Sequence, residues 1–232
     1  MTRSRTIFFA IFLLLGAVLA FLPLRAILGG DHITARAING TIWDGTIRDL
    51  RVGKLAIGDV NARLEILPLL LGRARISISR GDAPFAPGIT GSVTRRLGGF
   101  SLDLVNASLV DSSLLAPLPV ENIVLEDFSA RFIAGRCAET AGAVRLTLAS
   151  TLPGLDMSAG MLARPRCERG KLLIPFVSQS AMEHLDIRLT ADGQYTATIF
   201  LERDRTDQMP ELALLGFSSV ARGYKMVRKG RL

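Results

Sequence analysis

Aromatic residues make up only 6 % of the 232-residue chain, with a single tryptophan and two tyrosines. The apolar mass, 49 % of the residues, is therefore carried by Leu, Ile, Val and Ala. That excludes the stacking platforms on which single-stranded nucleic acid is bound. Histidine is equally scarce. Neither His32 nor His184 falls at ligand spacing from a cysteine, so no zinc-type site is indicated. There is no Walker sequence, dinucleotide fingerprint or His-Glu-x-x-His run. Ser112-Ser113 and Ser178-Gln179-Ser180 lack the glycines of a nucleophile elbow. With so little titratable chemistry gathered in one place, the chain reads as a non-enzyme with no cofactor and no identifiable small-molecule substrate.

Charge of one sign does not dominate any segment. The formal net charge of +7 comes from 28 basic and 21 acidic residues, and most of the basic ones are arginines spread along the chain. A nucleic-acid footprint would be clustered, so nucleic acid is not an expected partner. The closest grouping is Lys225, Arg228, Lys229 and Arg231. It reads either as a basic surface for phosphate or acidic lipid, or as the solvated face of a strand.

One long hydrophobic run is present. Residues 7–22, IFFAIFLLLGAVLAFL, carry no charge and are bracketed by Arg3, Arg5 and Arg25. A helix of that length covers roughly 24 Å against about 30 Å of bilayer hydrocarbon. Leu24 and residues 26–28 extend it if Arg25 snorkels to the headgroups. The rival reading is a cleaved signal peptide, for which Val18-Leu19-Ala20 offers small residues. An uncleaved transmembrane anchor is the expectation, because the candidate cleavage site lies inside the run. With the positive residues held in the cytoplasm, everything from Gly29 onward is translocated. The predicted organisation is a cytoplasmic stub and anchor over residues 1–28 and one periplasmic β-rich domain over 29–232. The location is the inner membrane, single-pass, with membrane lipid contacted through the anchor.

Beyond Asp31 apolar and polar residues alternate with a period of two, which marks half-buried strands. Val60, Ala62, Leu64 and Ile66 show it, then Ala74, Ile76 and Ile78, and it recurs at Phe100, Phe128, Val144, Leu185 and Tyr195. Turn signals separate the runs at Gly58-Asp59, Gly72-Arg73, Gly98-Gly99, Pro153-Gly154 and Ala191-Asp192-Gly193-Gln194. The last is the plainest hairpin of the set. Between two strands, Leu67-Pro68-Leu69-Leu70-Leu71-Gly72 is too apolar for an open turn and reads as a buried corner or one helical turn. Helical spacing outside the anchor is found only over residues 210–220. The fold class predicted is mainly β: a transmembrane helix, then a single antiparallel meander curved into a half-barrel or sandwich, with a short helix near the C-terminus.

Cys137 and Cys167, 30 residues apart, are the only cysteines, and both fall on the translocated side. In an oxidising compartment such a pair is a structural disulfide, and closing a loop of that size contributes about 3 kcal/mol. The alternative is two reduced thiols too far apart to bond.

The lone tryptophan sits in Gly40-Thr41-Ile42-Trp43-Asp44-Gly45, where its ring suits a plug for one end of a β core and the glycines suit tight turns. This motif follows the apolar run and precedes the Val60 strand and Pro68-Leu69-Leu70-Leu71-Gly72-Arg73. Gly135-Arg136-Cys137 with Ala141-Gly142, then Arg166-Cys167, Gly216-Phe217, Gly223-Tyr224 and Gly230-Arg231-Leu232 complete the series. In order and spacing it resembles the type II secretion system protein N family, also called general secretion pathway protein N. Two departures from the family pattern are aliphatics such as Leu64 where an additional tryptophan is frequent, and Asp44 in place of a small hydroxyl residue. The resemblance implies a non-enzymatic inner-membrane accessory of the apparatus that exports folded proteins across the outer membrane, with other inner-membrane components of that apparatus as partners. It implies structural roles for Gly40, Trp43, Gly45, Pro68 and Gly72 and no catalytic residues. A second function compatible with the residues is an anchored lipid-binding or lipid-transfer module with an apolar concave β surface.

Overall fold

A computed structural model describes residues 21–26, 33–53, 55–81, 88–109, 120–148, 160–202 and 210–231. The apolar run, except its last two residues, lies outside them, as do His32 and the Pro153-Gly154 turn signal. No helix among the described residues is long and apolar enough to cross a membrane.

The alternating runs form strands. The first group is β1 (Ile33–Thr34), β2 (Ala37–Thr41), β3 (Asp44–Val52) and β4 (Leu55–Leu64), followed by a one-turn helix α1 (Ile66–Leu70). Then come β5 (Ala74–Arg80), β6 (Ile89–Arg96), β7 (Gly99–Leu109), β8 (Val120–Ile133) and β9 (Arg136–Leu148). The last part holds β10 (Met161–Ala163), β11 (Arg166–Glu168), β12 (Lys171–Ser178), β13 (Glu183–Leu189) and β14 (Gln194–Glu202), a second short helix α2 (Pro210–Leu214), β15 (Ser218–Val220) and β16 (Gly223–Arg231). All belong to one antiparallel sheet whose order follows the chain almost without exception, from β1 and β3 through β14 to β16 and β15. The expected meander is present.

Its register carries one apolar face across nearly every strand. Ile47 lies opposite Val60, Ala62 opposite Ile78, Ile76 opposite Val93, and Leu102 opposite Ala130. Beyond them Met161 pairs with Leu146, Phe176 with Leu185, and Ile199 with Met226. Leu146, Leu173, Leu185, Leu201 and Leu212 are among the side chains fully removed from solvent. Two helices of five residues cannot cover such a face, so among the described residues the sheet curls over and buries it against itself. A large cluster gathers residues from β8 to β16, and a smaller one joins Leu24 to Ile47, Leu50, Val60 and Ala62.

Three local expectations change. Gly58-Asp59 is inside β4 and the chain turns after Gly53 instead. The reason is a bulge: Asp49 adopts φ 52° and its N–H donates to Asp59 Oδ1 at 2.8 Å, so the aspartate pairs two strands where a turn was expected. Ile66 leaves the strand period and opens α1. The C-terminal helix stops at Leu214 rather than reaching Val220, because the N–H groups of Gly216 and Phe217 turn back to Ala213 O and Leu212 O, and Ser218–Val220 then pairs with β16. The hairpin at Asp192-Gly193 forms as expected, joining β13 to β14.

In a meander, connections alternate between the two ends of the sheet. The β2–β3 turn, α1, and the tips of β6–β7, β8–β9, β11–β12 and β13–β14 all lie at one end. Residues 21–26 also join there, since Pro23 bridges Thr41. We call this end the entry rim.

Candidate functional site

At the entry rim a short relay of backbone bonds ties separate parts of the sequence together. Ile42 N–H donates to Leu22 O at 3.0 Å, and Leu64 N–H donates to Ile42 O at 2.8 Å. The last residue of the apolar run is thereby fixed to the tryptophan turn, and that turn to the strand that leads into α1. Ile42 is buried, and Trp43 beside it is half-buried. Gly40 (φ 86°) permits the turn: a Cβ there would stand 2.4 Å from Asp44 O. Gly45 faces Leu24, with the same hypothetical Cβ at 2.4 Å from Leu24 Cδ2.

α1 closes on itself. Gly72 N–H donates to Leu69 O at 2.9 Å and Arg73 N–H to Pro68 O at 2.9 Å, with Gly72 at φ 70° ending the turn. None of its residues is buried. The stretch expected to be a buried corner or one helical turn is the helical turn, and its leucines are in the open because the sheet's apolar face lies on the other side.

Between α1 and the polar face of β5–β8 lies an open cleft of about 530 Å³, lined by Leu67, Pro68, Leu71, Arg75, Arg96 and Asp103 among others. A polar cluster forms its floor. Arg75 Nε donates to Ser92 Oγ at 3.0 Å and lies 3.4 Å from Glu65 Oε1, which also accepts from Ser77 Oγ. Asp103 Oδ2 accepts from Thr94 Oγ1 at 2.8 Å and Ser101 Oγ at 3.1 Å. Ser92, Thr94 and Ser101 are buried, so a face read from the sequence as simply wet is in part enclosed. The run of Arg75, Ser77, Ser92, Thr94, Ser101 and Asp103 on alternate positions was the available signal. The Ser77, Thr94 and Ser101 hydroxyls donate to carboxylates, and among the described residues no histidine stands beside them; His184 instead lies near Phe200 on β13 and β14, with ring centroids 6.5 Å apart. Among the described residues no group of three His, Cys, Asp or Glu is placed to hold a metal. The cluster is equipped to hold strands together and to present polar surface.

Cys137 and Cys167 form the disulfide, with Cα atoms 5.5 Å apart. It lies where the ladder fails: β10 pairs with both β9 and β12, whereas β11 pairs only with β12. The bridge and a hydrogen bond from Cys137 N–H to Gly170 O (2.8 Å) fasten β11 back to β9.

The four basic residues of β16 do not form one patch. Lys225, Lys229 and Arg231 share one face, while Arg228 is on the other, beside Met226, with Nη2 3.4 Å from Leu215 O. Lys225 and Arg231 are about 20 Å apart along the strand. Arg231 reaches the β13–β14 tip, where its Nε donates to Asp192 O at 3.2 Å. The Asp192 carboxyl is held below its ordinary range, chiefly because the Thr190 hydroxyl donates to it, with Arg231 adding a smaller effect.

The sequence profile of type II secretion system (T2SS), protein N, matches residues 31–227, which is most of the chain. The chain belongs to this family. No curated protein and no solved structure matches it. As a protein N, the chain is a type II secretion component, and its family is one of secretion accessory proteins. The motifs that carried the resemblance acquire a place: Gly40, Trp43, Gly45, Pro68 and Gly72 are all at the entry rim, around the relay from Leu22 to Leu64, with the disulfide on the same rim farther along the sheet.

Proposed function

We propose that this protein N is a non-enzymatic accessory of the type II secretion apparatus, anchored in the inner membrane by residues 7–22 with the β-rich part, residues 29–232, in the periplasm. It works as a scaffold for other inner-membrane components during export of folded proteins across the outer membrane. The observation that carries the reading is the family match over residues 31–227. The structure supports it in one way: the sheet presents strand edges at β2 and β15 that suit strand addition by a partner. Scaffolding is favoured over lipid carriage because the apolar face of β8–β16 is filled by its own side chains.

The test is gentle detergent extraction of the full-length protein from its own envelope, affinity capture, and mass spectrometry of the protein and lipid fractions. Recovery of inner-membrane secretion subunits in stoichiometric amounts is the expected result. Stoichiometric phospholipid without those subunits overturns the scaffold in favour of lipid handling.

A further inference from the structure

The entry rim concentrates features that the sheet has no internal use for. Ile66, Leu67 and Leu70 of α1, a helix that buries nothing, and Leu71 directly after it expose between 61 and 78 % of their surface. Leu97 at the β6–β7 tip is fully exposed and Ile133 at the β8–β9 tip is 53 % exposed. These are large aliphatic side chains on successive connections of one rim; Leu104 and Leu214, the other strongly exposed leucines among the described residues, stand singly on β7 and α2. Contiguous exposed apolar surface of this kind marks a contact with another phase or partner.

Cations surround them. Arg73 follows α1, Arg95 is opposite Ala74 at its foot, Arg136 follows the Ile133 tip, and Arg169 and Lys171 flank the β11–β12 tip; all five are exposed. Leu22, the last residue of the apolar run, is hydrogen-bonded into the leucine and arginine end.

We propose that the entry rim docks on the surface of an acidic phospholipid bilayer, with the α1 side chains and Leu97 inserted below the headgroups and the surrounding arginines on the lipid phosphates. The inference rests on the reading of residues 7–22 as a membrane anchor. An anchor ending at Leu22 brings the rim to the bilayer, and the relay through Ile42 to Leu64 holds α1 beside it. Juxtamembrane cations add attraction to anionic lipid. The result is a protein standing on the membrane by its rim, with β-strands leading away from the lipid.

The test uses full-length protein reconstituted in vesicles of phosphatidylglycerol and phosphatidylcholine. The native cysteines are paired, so a single introduced cysteine can take a nitroxide label. Labels at Leu70→Cys, Leu97→Cys and Arg222→Cys are compared by their collisions with oxygen and with a water-soluble nickel chelate. The expected result is oxygen-dominated relaxation at 70 and 97 and chelate-dominated relaxation at 222, with the first two reverting toward chelate in pure phosphatidylcholine or with Arg73→Glu and Arg95→Glu. Water-like relaxation at 70 and 97 in protein that resists alkaline extraction from the vesicles overturns the docking while leaving the anchor intact. Loss of the protein on alkaline extraction points to failure of the anchor itself. If labels 70 and 97 are water-like in vesicles but shielded from both reagents in native envelopes, the rim is covered by a protein partner and lipid docking is again overturned.

Discussion

At the scale of single residues the most demanding positions are those where the backbone leaves no room for a side chain. Gly40 and Gly72 both have positive φ, but a Cβ at Gly40 meets Asp44 O at 2.4 Å whereas one at Gly72 meets nothing within 4 Å. Replacing either by alanine incurs the left-handed backbone penalty of roughly 1–2 kcal/mol, and Gly40→Ala adds the clash. Gly40→Ala is therefore expected to lower the thermal midpoint clearly more than Gly72→Ala, as read by circular dichroism of the purified protein. Equal shifts would mean that the β2–β3 turn relaxes to accommodate the methyl group. Both glycines were visible in the sequence as turn-formers. Which of them is sterically closed depends on the approach of Asp44, which no local pattern encodes.

At the scale of elements, α1 and the strands put leucines to opposite uses. Leu70 is 78 % exposed although it stands in a continuous apolar run, and Leu146 is fully buried although Arg145 and Thr147 flank it. Leu146→Ala is expected to destabilise by about 2–5 kcal/mol through lost burial and the cavity left behind. Leu70→Ser is expected to leave stability in detergent within about 0.5 kcal/mol, because a surface side chain with no packing partner contributes little. Urea or thermal unfolding of the two variants separates the cases, and a large loss for Leu70→Ser would show that α1 is packed. The sequence identified the Pro68 segment as something other than an open turn. It did not say that the segment faces away from the core, because helical phase and the side of the sheet on which a connection lies are set by the register of the strands before and after it.

The disulfide acts at the scale of the whole molecule. β11 is hydrogen-bonded on one side only, and the Cys137–Cys167 bridge makes its other attachment, to β9. Removing both thiols with Cys137→Ser and Cys167→Ser is expected to cost about 3 kcal/mol, by restoring freedom to the unfolded loop. For a chain of this size that corresponds to a fall in midpoint of roughly 6–12 °C. Scanning calorimetry of the double variant checks it, with an unchanged midpoint counting against a structural role for the bridge.

Period-two alternation by itself determined that this is a β protein, which residues line its apolar face, and that successive strands are neighbours, because the pleat points side chains alternately to the two faces and short connections keep strands adjacent. Composition likewise limited its chemistry, and the motifs from Gly40 to Cys167 led to its family. The tertiary structure alone decided that the Asp49 bulge turns Gly58-Asp59 into strand, that Ser92, Thr94 and Ser101 are enclosed, and that the basic residues of β16 divide between two faces. It also brought Leu22, Trp43, α1 and the disulfide to a single rim. Those outcomes depend on register, bulges and the curl of a sheet that runs from β1 to β16, and each is a sum over pairings between strands that no window of the sequence contains.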